Sequence, residues 1–228
     1  MYNGVNTVIM NVQYKVRDYK EMPLIIGTRG SPLAVAQAEE TRNRLMIAHE
    51  LPKTAFVINI IETSGDLIQD RPLSEIGGKG LFTFEIEESL ANGTIDIAVH
   101  SMKDMPTVLP DGLMISTILQ REDVRDSFVS RKYKNISELP YGCTVGTSSL
   151  RRRAQLLVRR PDLNIVEFRG NVQTRLRKLD DGVAEATFLA CAGLSRLKLT
   201  DLINPVEINE MLPAVAQGAI GIEQKSDN

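Results

Sequence analysis

The sequence has no tryptophan, and only two cysteines and two histidines occur among its 228 residues. Cys143 and Cys191 form no CxxC pair, and His49 and His100 lie far apart along the chain. Zinc and haem sites are usually built from such clusters. We therefore expect no metal site, and two cysteines are too few for a fold held together by disulfides.

Long apolar runs and targeting segments are also missing. A membrane span needs about 18 consecutive apolar residues, whereas the longest candidate, residues 211–222, is interrupted by Pro213 and Gln217. The first 22 residues lack the basic start, apolar block and cleavage site of a signal peptide, and they show no clear periodicity. We expect residues 1–22 to be an N-terminal extension, and we expect a cytoplasmic protein without a membrane partner.

A strong net charge is absent as well, because 27 basic residues are balanced by 29 acidic ones. The basic residues are nevertheless concentrated between Arg151 and Lys178, where they far outnumber Asp162 and Glu167. The net charge of −2 and the aromatic content of 5% argue against nucleic acid as a partner, since such proteins rely on a basic surface and stacking rings. The composition, 43% hydrophobic and 25% charged, is typical of a folded globular protein.

Short apolar segments alternate with helical ones twice along the chain. This alternation is typical of α/β folds. We predict strands at residues 24–27, 55–61, 95–99, 113–119, 144–146, 164–168, 187–190 and 217–223. We predict four helices. The first begins at Ser31-Pro32, the second ends at Leu90, and the other two cover about residues 149–160 and 171–180. The sequence thus predicts two lobes of mainly parallel sheet with flanking helices.

The two lobes are expected to be related and to face one cleft. Residues 26–31 and 145–150 each run from a strand through Gly-Thr to a serine at a helix start, with arginine close by. The last predicted strand can return to the first lobe. We therefore predict a first domain of residues 23–120 plus 217–228 and a second domain of residues 121–216.

Several arginines lie in or near the first turn of a predicted helix, where a positive charge is unfavourable. Arg151, Arg152 and Arg153 occupy a first helical turn, where the macrodipole costs a cation about 0.3–1 kcal/mol. Arg169 and Arg175 lie at the next strand end and helix start, and Arg29 precedes Ser31. Such groups can form a solvated basic face, but as a set they favour an anion site at the carboxyl ends of the strands.

Several separate carboxylates suit this site better than a nucleotide triphosphate. The run Gly77-Gly78-Lys79-Gly80 lacks the spacing of a phosphate-binding P-loop, and no GxGxxG motif follows a strand. Asp104 follows a strand end and would lie amid cationic groups. It can act as a proton-transfer group or as a turn aspartate before Met105-Pro106, whereas His100 is expected to be a packed strand-end residue.

Seven motifs appear in order along the chain: Thr28-Arg29-Gly30-Ser31-Pro32-Leu33-Ala34, Gly77-Gly78-Lys79-Gly80-Leu81-Phe82, residues 96–104 (DIAVHSMKD), residues 121–126 (REDVRD), residues 145–152 (VGTSSLRR), Arg169-Gly170-Asn171-Val172 and Leu212-Pro213-Ala214-Val215. They closely resemble the hydroxymethylbilane synthase, or porphobilinogen deaminase, family. The resemblance extends from about Leu24 to Glu223. It implies two lobes like those of a type II periplasmic binding protein, together with a smaller third α+β domain.

The resemblance also implies an activity, that of a transferase of porphyrin and haem biosynthesis. The family joins four porphobilinogen molecules head to tail and releases ammonia at each step, giving linear hydroxymethylbilane. Asp104 resembles the catalytic aspartate, and Gly77–Gly80 resembles a mobile loop beside the cleft. The residues that resemble those holding the carboxylates of cofactor and substrate are Arg29, Ser31, Lys103, Thr147, Ser149, Arg151, Arg152, Arg169, Arg175 and Arg196.

One feature departs from the family. Its dipyrromethane cofactor is bonded to a cysteine of the third domain within a Gly-Cys-Gln run, and this sequence contains no such run. Cys143 and Cys191 are expected to be small buried residues, Cys191 within a strand. We therefore expect a chain truncated before the cofactor-attachment domain. The alternative function is binding of pyrrole polycarboxylates or another anion without turnover. The family is usually monomeric, and truncation is expected to expose apolar surface and favour association.

Overall fold

The computed structural model describes residues 18–67 and 80–227. Its helices are α1 (Pro32–His49), α2 (Ser64–Leu67), α3 (Phe84–Ala91), α4 (Leu150–Arg159), α5 (Val172–Asp180) and α6 (Cys191–Arg196). Its strands are β1 (Leu24–Arg29), β2 (Phe56–Ile61), β3 (Ile97–Ser101), β4 (Leu113–Ile118), β5 (Asp126–Ser130), β6 (Thr144–Gly146), β7 (Asn164–Val166), β8 (Ala186–Ala190) and β9 (Ile220–Lys225). Within the described residues, none of the helices combines the length and apolar character needed to cross a bilayer.

The strands form two sheets, and this confirms the two-lobe α/β prediction. The first sheet has the order β2-β1-β3-β9-β4 and the second the order β5-β8-β6-β7. Strand β1 is parallel to β2 and β3, and β6 is parallel to β7 and β8. Strands β9 and β5 pair antiparallel with their neighbours. The sheets are therefore mixed rather than mainly parallel, because β5 and β9 follow the two crossovers between lobes and enter their sheets in the opposite direction.

Each sheet has its own hydrophobic core. In the first lobe, Ile26, Phe56 and Val99 pack with Ile220 of the returning strand β9. In the second lobe, Phe128 and Phe188 meet edge to face with ring centroids 5.6 Å apart. Aromatic pairs of this geometry add to the free energy gained by burial. Each lobe is thus stabilised by its own apolar contacts.

Serine caps fix the beginnings of α1 in the first lobe and α4 in the second lobe. The Ala34 N–H donates to Ser31 Oγ at 3.3 Å, and the Arg152 N–H donates to Ser149 Oγ at 3.4 Å. A capping side chain satisfies one of the free N–H groups of a helix start, and Pro32 at the first helical position needs no N–H partner. The two predicted helix starts are confirmed.

Three elements were not predicted from the sequence, namely the short helix α2, strand β5 and helix α6. Strand β5 begins at Asp126, within a segment whose charges conceal its burial, and α6 follows β8 without an intervening loop. The strand assignment of Cys191 is therefore wrong, since the strand ends at Ala190 and Cys191 is the first residue of the helix. No glycine, proline or polar turn residue separates the two elements, so the sequence shows no boundary. Residues 1–17 of the predicted extension and Gly77–Lys79 lie outside the described residues.

Two chain segments cross between the lobes side by side. The Leu119 N–H donates to the Ile220 carbonyl at 2.9 Å, and the Glu122 N–H donates to the Gly218 carbonyl at 3.3 Å. Gly218 has φ +90°, and a Cβ at this position would lie 2.6 Å from the Glu122 carbonyl oxygen. Only glycine suits this backbone conformation and this close approach.

We expect Gly218→Ala to lower the free energy of unfolding by about 2 kcal/mol or more, through the left-handed φ and the clash together. Gly182→Ala is the matched control, because Gly182 has φ +73° and open space around its Cα, so only the φ penalty of about 1 kcal/mol applies. Urea unfolding of both variants measures the difference. Equal losses would contradict the close contact at the crossover.

Candidate functional site

A cavity of about 870 Å³ lies between the two lobes and is called the interlobe cavity below. It is bordered by the ends of β1 and β3 and by the starts of α1, α4 and α5. The carboxyl ends of strands in open α/β sheets are the usual ligand sites of such folds. The predicted site residues that line it are Arg29, Ser31, Lys103, Asp104, Ser149, Arg152, Arg169 and Arg175.

The first-lobe wall of the cavity is formed around Arg29. Its guanidinium carbon lies 4.1 Å from the centroid of the Phe82 ring, which gives a cation–π contact. Ser31 caps α1 beside it, so the first N–H groups of this helix lie at the cavity wall. A guanidinium and a helix start together favour a carboxylate ligand.

Lys103 and Asp104 lie in the single 3₁₀ turn that follows β3. Both side chains are exposed to the cavity, and the Asp104 side chain forms no hydrogen bond or ion pair with the described residues. Lys103 is accessible inside the cavity but surrounded by protein, and this desolvation lowers its pKa, partly offset by the nearby negative charge of Asp104. The Asp104 carboxylate is therefore available to a ligand, with a cation beside it.

Arg169 and Arg175 form the second-lobe wall. Arg175 Nε donates to the Gly170 carbonyl at 2.9 Å, which leaves its terminal nitrogens for other partners. Burial lowers the pKa of Arg175 to about 10, and the positive charges of Arg152 and Arg169 contribute. Cations gathered in this way repel one another, and a bound anion would relieve this repulsion.

Asp126 holds two of the predicted arginines and was not predicted as a site residue. It is completely buried, and its carboxylate accepts from Arg152 Nη2 and Arg151 Nη2, both at 2.7 Å, and from Gln217 Nε2 at 2.9 Å. Burial alone would raise the pKa of Asp126, but Arg152 and Arg151 outweigh that effect and lower it. The available sequence signal was an acid at the end of the REDVRD motif, followed closely by the apolar pair Phe128-Val129.

Arg152 is the buried cation of the interlobe cavity. Its side chain is 7% exposed, and Nη1 donates to the Phe188 carbonyl at 2.6 Å while Nη2 binds Asp126. The remaining Nε is buried and has no hydrogen-bond partner among the described residues. Buried donors are rarely left unpaired in proteins, so this group marks a position for a ligand or ordered water.

Three predicted site residues do not line the cavity. Arg151 binds Asp126 and the Leu212 carbonyl, and the buried Thr147 hydroxyl accepts from the Ser149 N–H at 3.1 Å. Arg196 bridges the lobes, since its Nε donates to Glu40 Oε2 at 3.0 Å and its Nη2 to the Gly218 carbonyl at 3.1 Å. Ser148, which was not predicted, lines the cavity instead of Thr147.

The cysteines lie outside the cavity. Cys143 and Cys191 are free and buried, and burial raises the pKa of both thiols, that of Cys191 to about 11. A raised pKa disfavours the reactive thiolate. Across the described residues, no cluster of three or more His, Cys, Asp or Glu side chains is arranged to hold a metal ion.

Comparisons with known proteins identify the family whose sequences this chain matches. Residues 24–228 match the family model described as "Porphobilinogen deaminase, dipyromethane cofactor binding domain". The chain is 66% identical over 207 residues to a porphobilinogen deaminase of Paracoccus denitrificans, covering 90% of this chain and 66% of that protein. It is 56% identical over 212 residues to one of Nitrobacter winogradskyi, covering 92% and 67%. The chain thus spans about two thirds of the length of these relatives.

The solved structures show the fold. A periplasmic substrate-binding protein of an ABC transporter from Coxiella burnetii aligns with a TM-score of 0.51 at 13% identity, covering 90% of this chain and 85% of that chain. A putative lipoprotein from Clostridium difficile aligns with the same TM-score at 14% identity, covering 92% and 85%. The predicted similarity to periplasmic binding proteins is confirmed.

Proposed function

Because the chain belongs to the porphobilinogen deaminase family, we propose that it takes part in the stepwise condensation of four porphobilinogen molecules, with release of ammonia, to linear hydroxymethylbilane. The observation that carries this proposal is the placement of Asp104 in one cavity with cationic side chains from both lobes. Each pyrrole of the substrate carries an acetate and a propionate. Dispersed cations suit a ligand with several separate carboxylates.

The interlobe cavity also fits the dipyrromethane that the matched family model names. Its two pyrroles bring four carboxylates, and the cations that line the cavity are Arg29, Lys103, Arg152, Arg169 and Arg175. The unpaired Nε of Arg152 is a donor of the kind such a carboxylate needs. When bound, the group supplies a pyrrole carbon from which the polymer grows. Neither buried cysteine fits as its attachment point, since neither lines the cavity.

Asp104 is proposed to act on the amine and on the charge that its departure leaves. When the carbon–nitrogen bond breaks, the electron pair stays on nitrogen, and the methylene pyrrole of the substrate becomes electron-poor. A carboxylate fixed beside it stabilises this charge and can transfer a proton to the leaving nitrogen. Arg29 and the second-lobe arginines hold the carboxylates and so keep the reacting carbon near Asp104.

Replacing Arg175 by methionine is expected to stabilise the free chain and weaken its ligand binding. The lowered pKa of Arg175 means that folding disfavours its charge, so a neutral side chain of similar length should raise the melting temperature at pH 7. Loss of a charged hydrogen-bond donor should weaken porphobilinogen binding about tenfold or more.

Calorimetric titration and thermal unfolding measure the two effects of Arg175→Met. Arg177→Met is the control, because Arg177 lies on the same helix and is exposed. It should leave the affinity unchanged. If Arg175→Met lowered the melting temperature as well as the affinity, the result would contradict the view that Arg175 destabilises the free chain in order to bind the ligand.

The proposed activity is tested by incubating the chain with porphobilinogen and measuring ammonia release and, after acid cyclisation and oxidation, porphyrin absorbance. Ammonia and porphyrin in a 4:1 ratio support the proposal. Porphobilinogen binding without ammonia release supports the alternative, a domain pair that binds pyrrole polycarboxylates. Intact-mass measurement adds a decisive detail, since a dipyrromethane adduct on Cys143 or Cys191 would overturn their assignment as packing residues.

A further inference from the structure

A second, much smaller cavity adjoins Asp104 and is called the side cavity below. It has a volume of about 70 Å³. Asp104, Arg29 and Ser101 line both cavities, whereas His100, Thr83 and Gln37 line the side cavity only. Asp104 therefore stands between the space for the ligand and a polar pocket behind it. Its lining and its volume suit one or two water molecules.

His100 links the side cavity to a buried carboxylate. Its ring is 5% exposed, and Nε2 lies 2.9 Å from Oε2 of Glu223, which is completely buried. The other ring nitrogen, Nδ1, has no hydrogen-bond partner among the described residues. An imidazole whose Nε2–H donates to a carboxylate has Nδ1 free to accept a proton. The pairing was not expected from the sequence, where Glu223 follows His100 by more than a hundred residues.

Further unpaired oxygens surround this pair. Thr83 Oγ1, Glu87 Oε1 and Glu223 Oε1 are buried without a hydrogen-bond partner among the described residues. The pKa of Glu87 is raised, mainly because the carboxyl group is buried. The nearby Thr83 hydroxyl lowers this pKa, the negative charge of Glu223 raises it, and a positive charge on His100 lowers it. The groups that face His100 are thus Glu223 from β9, Glu87 from α3, and Asp104 and Arg29 across the side cavity. An imidazole that takes up a proton among these carboxyl groups does not become an uncompensated buried positive charge.

We propose that His100, paired with Glu223, is a proton-holding residue that serves Asp104 through water in the side cavity. The inference deepens the proposed function and rests on it. When the new carbon–carbon bond has formed, the pyrrole carbon gives up its proton to the Asp104 carboxylate. That proton passes through water to Nδ1 of neutral His100, and Glu223 stabilises the imidazolium. For the next unit the proton returns to Asp104 and goes to the amine nitrogen as the carbon–nitrogen bond breaks.

The scheme balances within each cycle. One proton leaves a pyrrole carbon and one joins a departing amine, so no external acid is required. Asp104 is a carboxylate while the cationic carbon is present, because its proton has just left on the departing amine, and His100 holds the proton only between bond formation and the next departure. The imidazole thus acts through Asp104 as a positioning residue that controls its protonation, without touching the substrate.

Nitrogen-15 NMR of the histidine side chains tests the geometry without turnover. The chain has only two histidines, and the exposed His49 serves as an internal reference. We expect His100 in the Nε2–H tautomer, and we expect Asp104→Asn to displace its Nδ1 resonance while both nitrogens of His49 stay in place. Asp111→Asn, an exposed change outside both cavities, should displace neither. An Nδ1–H tautomer, or an Nδ1 resonance indifferent to Asp104→Asn, overturns the proposal.

Turnover provides the second arm. His100→Gln keeps a donor toward Glu223 but cannot hold the proton, so kcat for porphobilinogen consumption should fall about 10²-fold with KM unchanged, and the pH profile of kcat should change shape. An unchanged kcat and pH profile overturns the relay. If the unaltered chain itself releases no ammonia, the proposed function fails, and the NMR arm alone decides whether Asp104 and His100 are coupled.

Discussion

Replacing Asp104 by asparagine is expected to lower kcat for porphobilinogen consumption by about 10²- to 10⁴-fold, the range that a positioned proton-transfer group contributes. The change removes a negative charge and a proton-transfer group but preserves shape. Since the side chain is exposed and forms no bond with the described residues, the melting temperature should stay within a degree or two. Stopped assays of ammonia release measure the rate.

Asp111→Asn is the matched control for this experiment. Asp111 is an exposed aspartate in the following loop and lines neither cavity. Its replacement should leave both rate and stability unchanged. A variant with Asp104→Asn that retained most of its activity would remove Asp104 from the proposed mechanism, whereas equal losses in both variants would indicate a general effect of charge.

Replacing Asp126 by alanine is expected to cause the largest loss of stability. The carboxylate is fully buried and is shared by Arg151, Arg152 and Gln217. Removal of one partner from a buried charge pair leaves the other charges uncompensated, at a cost of about 3–5 kcal/mol. Urea unfolding at pH 7, followed by circular dichroism, measures the change.

Asp180→Asn provides a surface counterpart to Asp126→Ala. Asp180 binds Arg131 at 2.8 Å, but about half of each side chain is exposed. Exposed ion pairs contribute about 0–1 kcal/mol, so this variant should be close to the unaltered chain. Comparable losses for the two substitutions would show that Asp126 is not the buried anchor of the arginines.

The contribution of Asp126 also has a definite pH dependence. Its pKa is lower in the folded than in the unfolded chain, so its stabilisation is fully present above the unfolded value of about 3.9. It is lost as the pH falls through that value toward the folded pKa. The difference in unfolding free energy between the unaltered chain and Asp126→Asn should therefore shrink below about pH 4.

Repeated local patterns made most of the fold predictable. The Gly-Thr turns before Ser31 and Ser149 predicted both capped helices, and the apolar segments predicted most strands. The direction of the strands was not predictable, since β9 is placed by long-range pairing with β3 and β4 rather than by local preference. The start of α6 at Cys191 has no local signal at all.

The candidate site was predictable as a set of residue types, but not in its internal contacts. Eight of the predicted residues line one cavity, because the ends of several strands meet there. The sequence could not show that Asp126 binds both Arg151 and Arg152. It also could not show that Arg196 bridges Glu40 and the Gly218 carbonyl. Those contacts join residues separated by tens of positions, and only the folded chain reveals which cations are already neutralised.

The position of Gln217 connects the two halves of the molecule energetically. This residue lies beside Gly218 in the crossover, its backbone carbonyl accepts from Arg121, and its side chain donates to the Asp126 carboxylate that secures Arg152. A ligand that binds Arg152 therefore perturbs a hydrogen bond made by the segment that crosses between the lobes. Thermodynamic linkage makes this coupling reciprocal. If the ligand favours one angle between the lobes, then a change to that angle increases the affinity for the ligand by the same free energy.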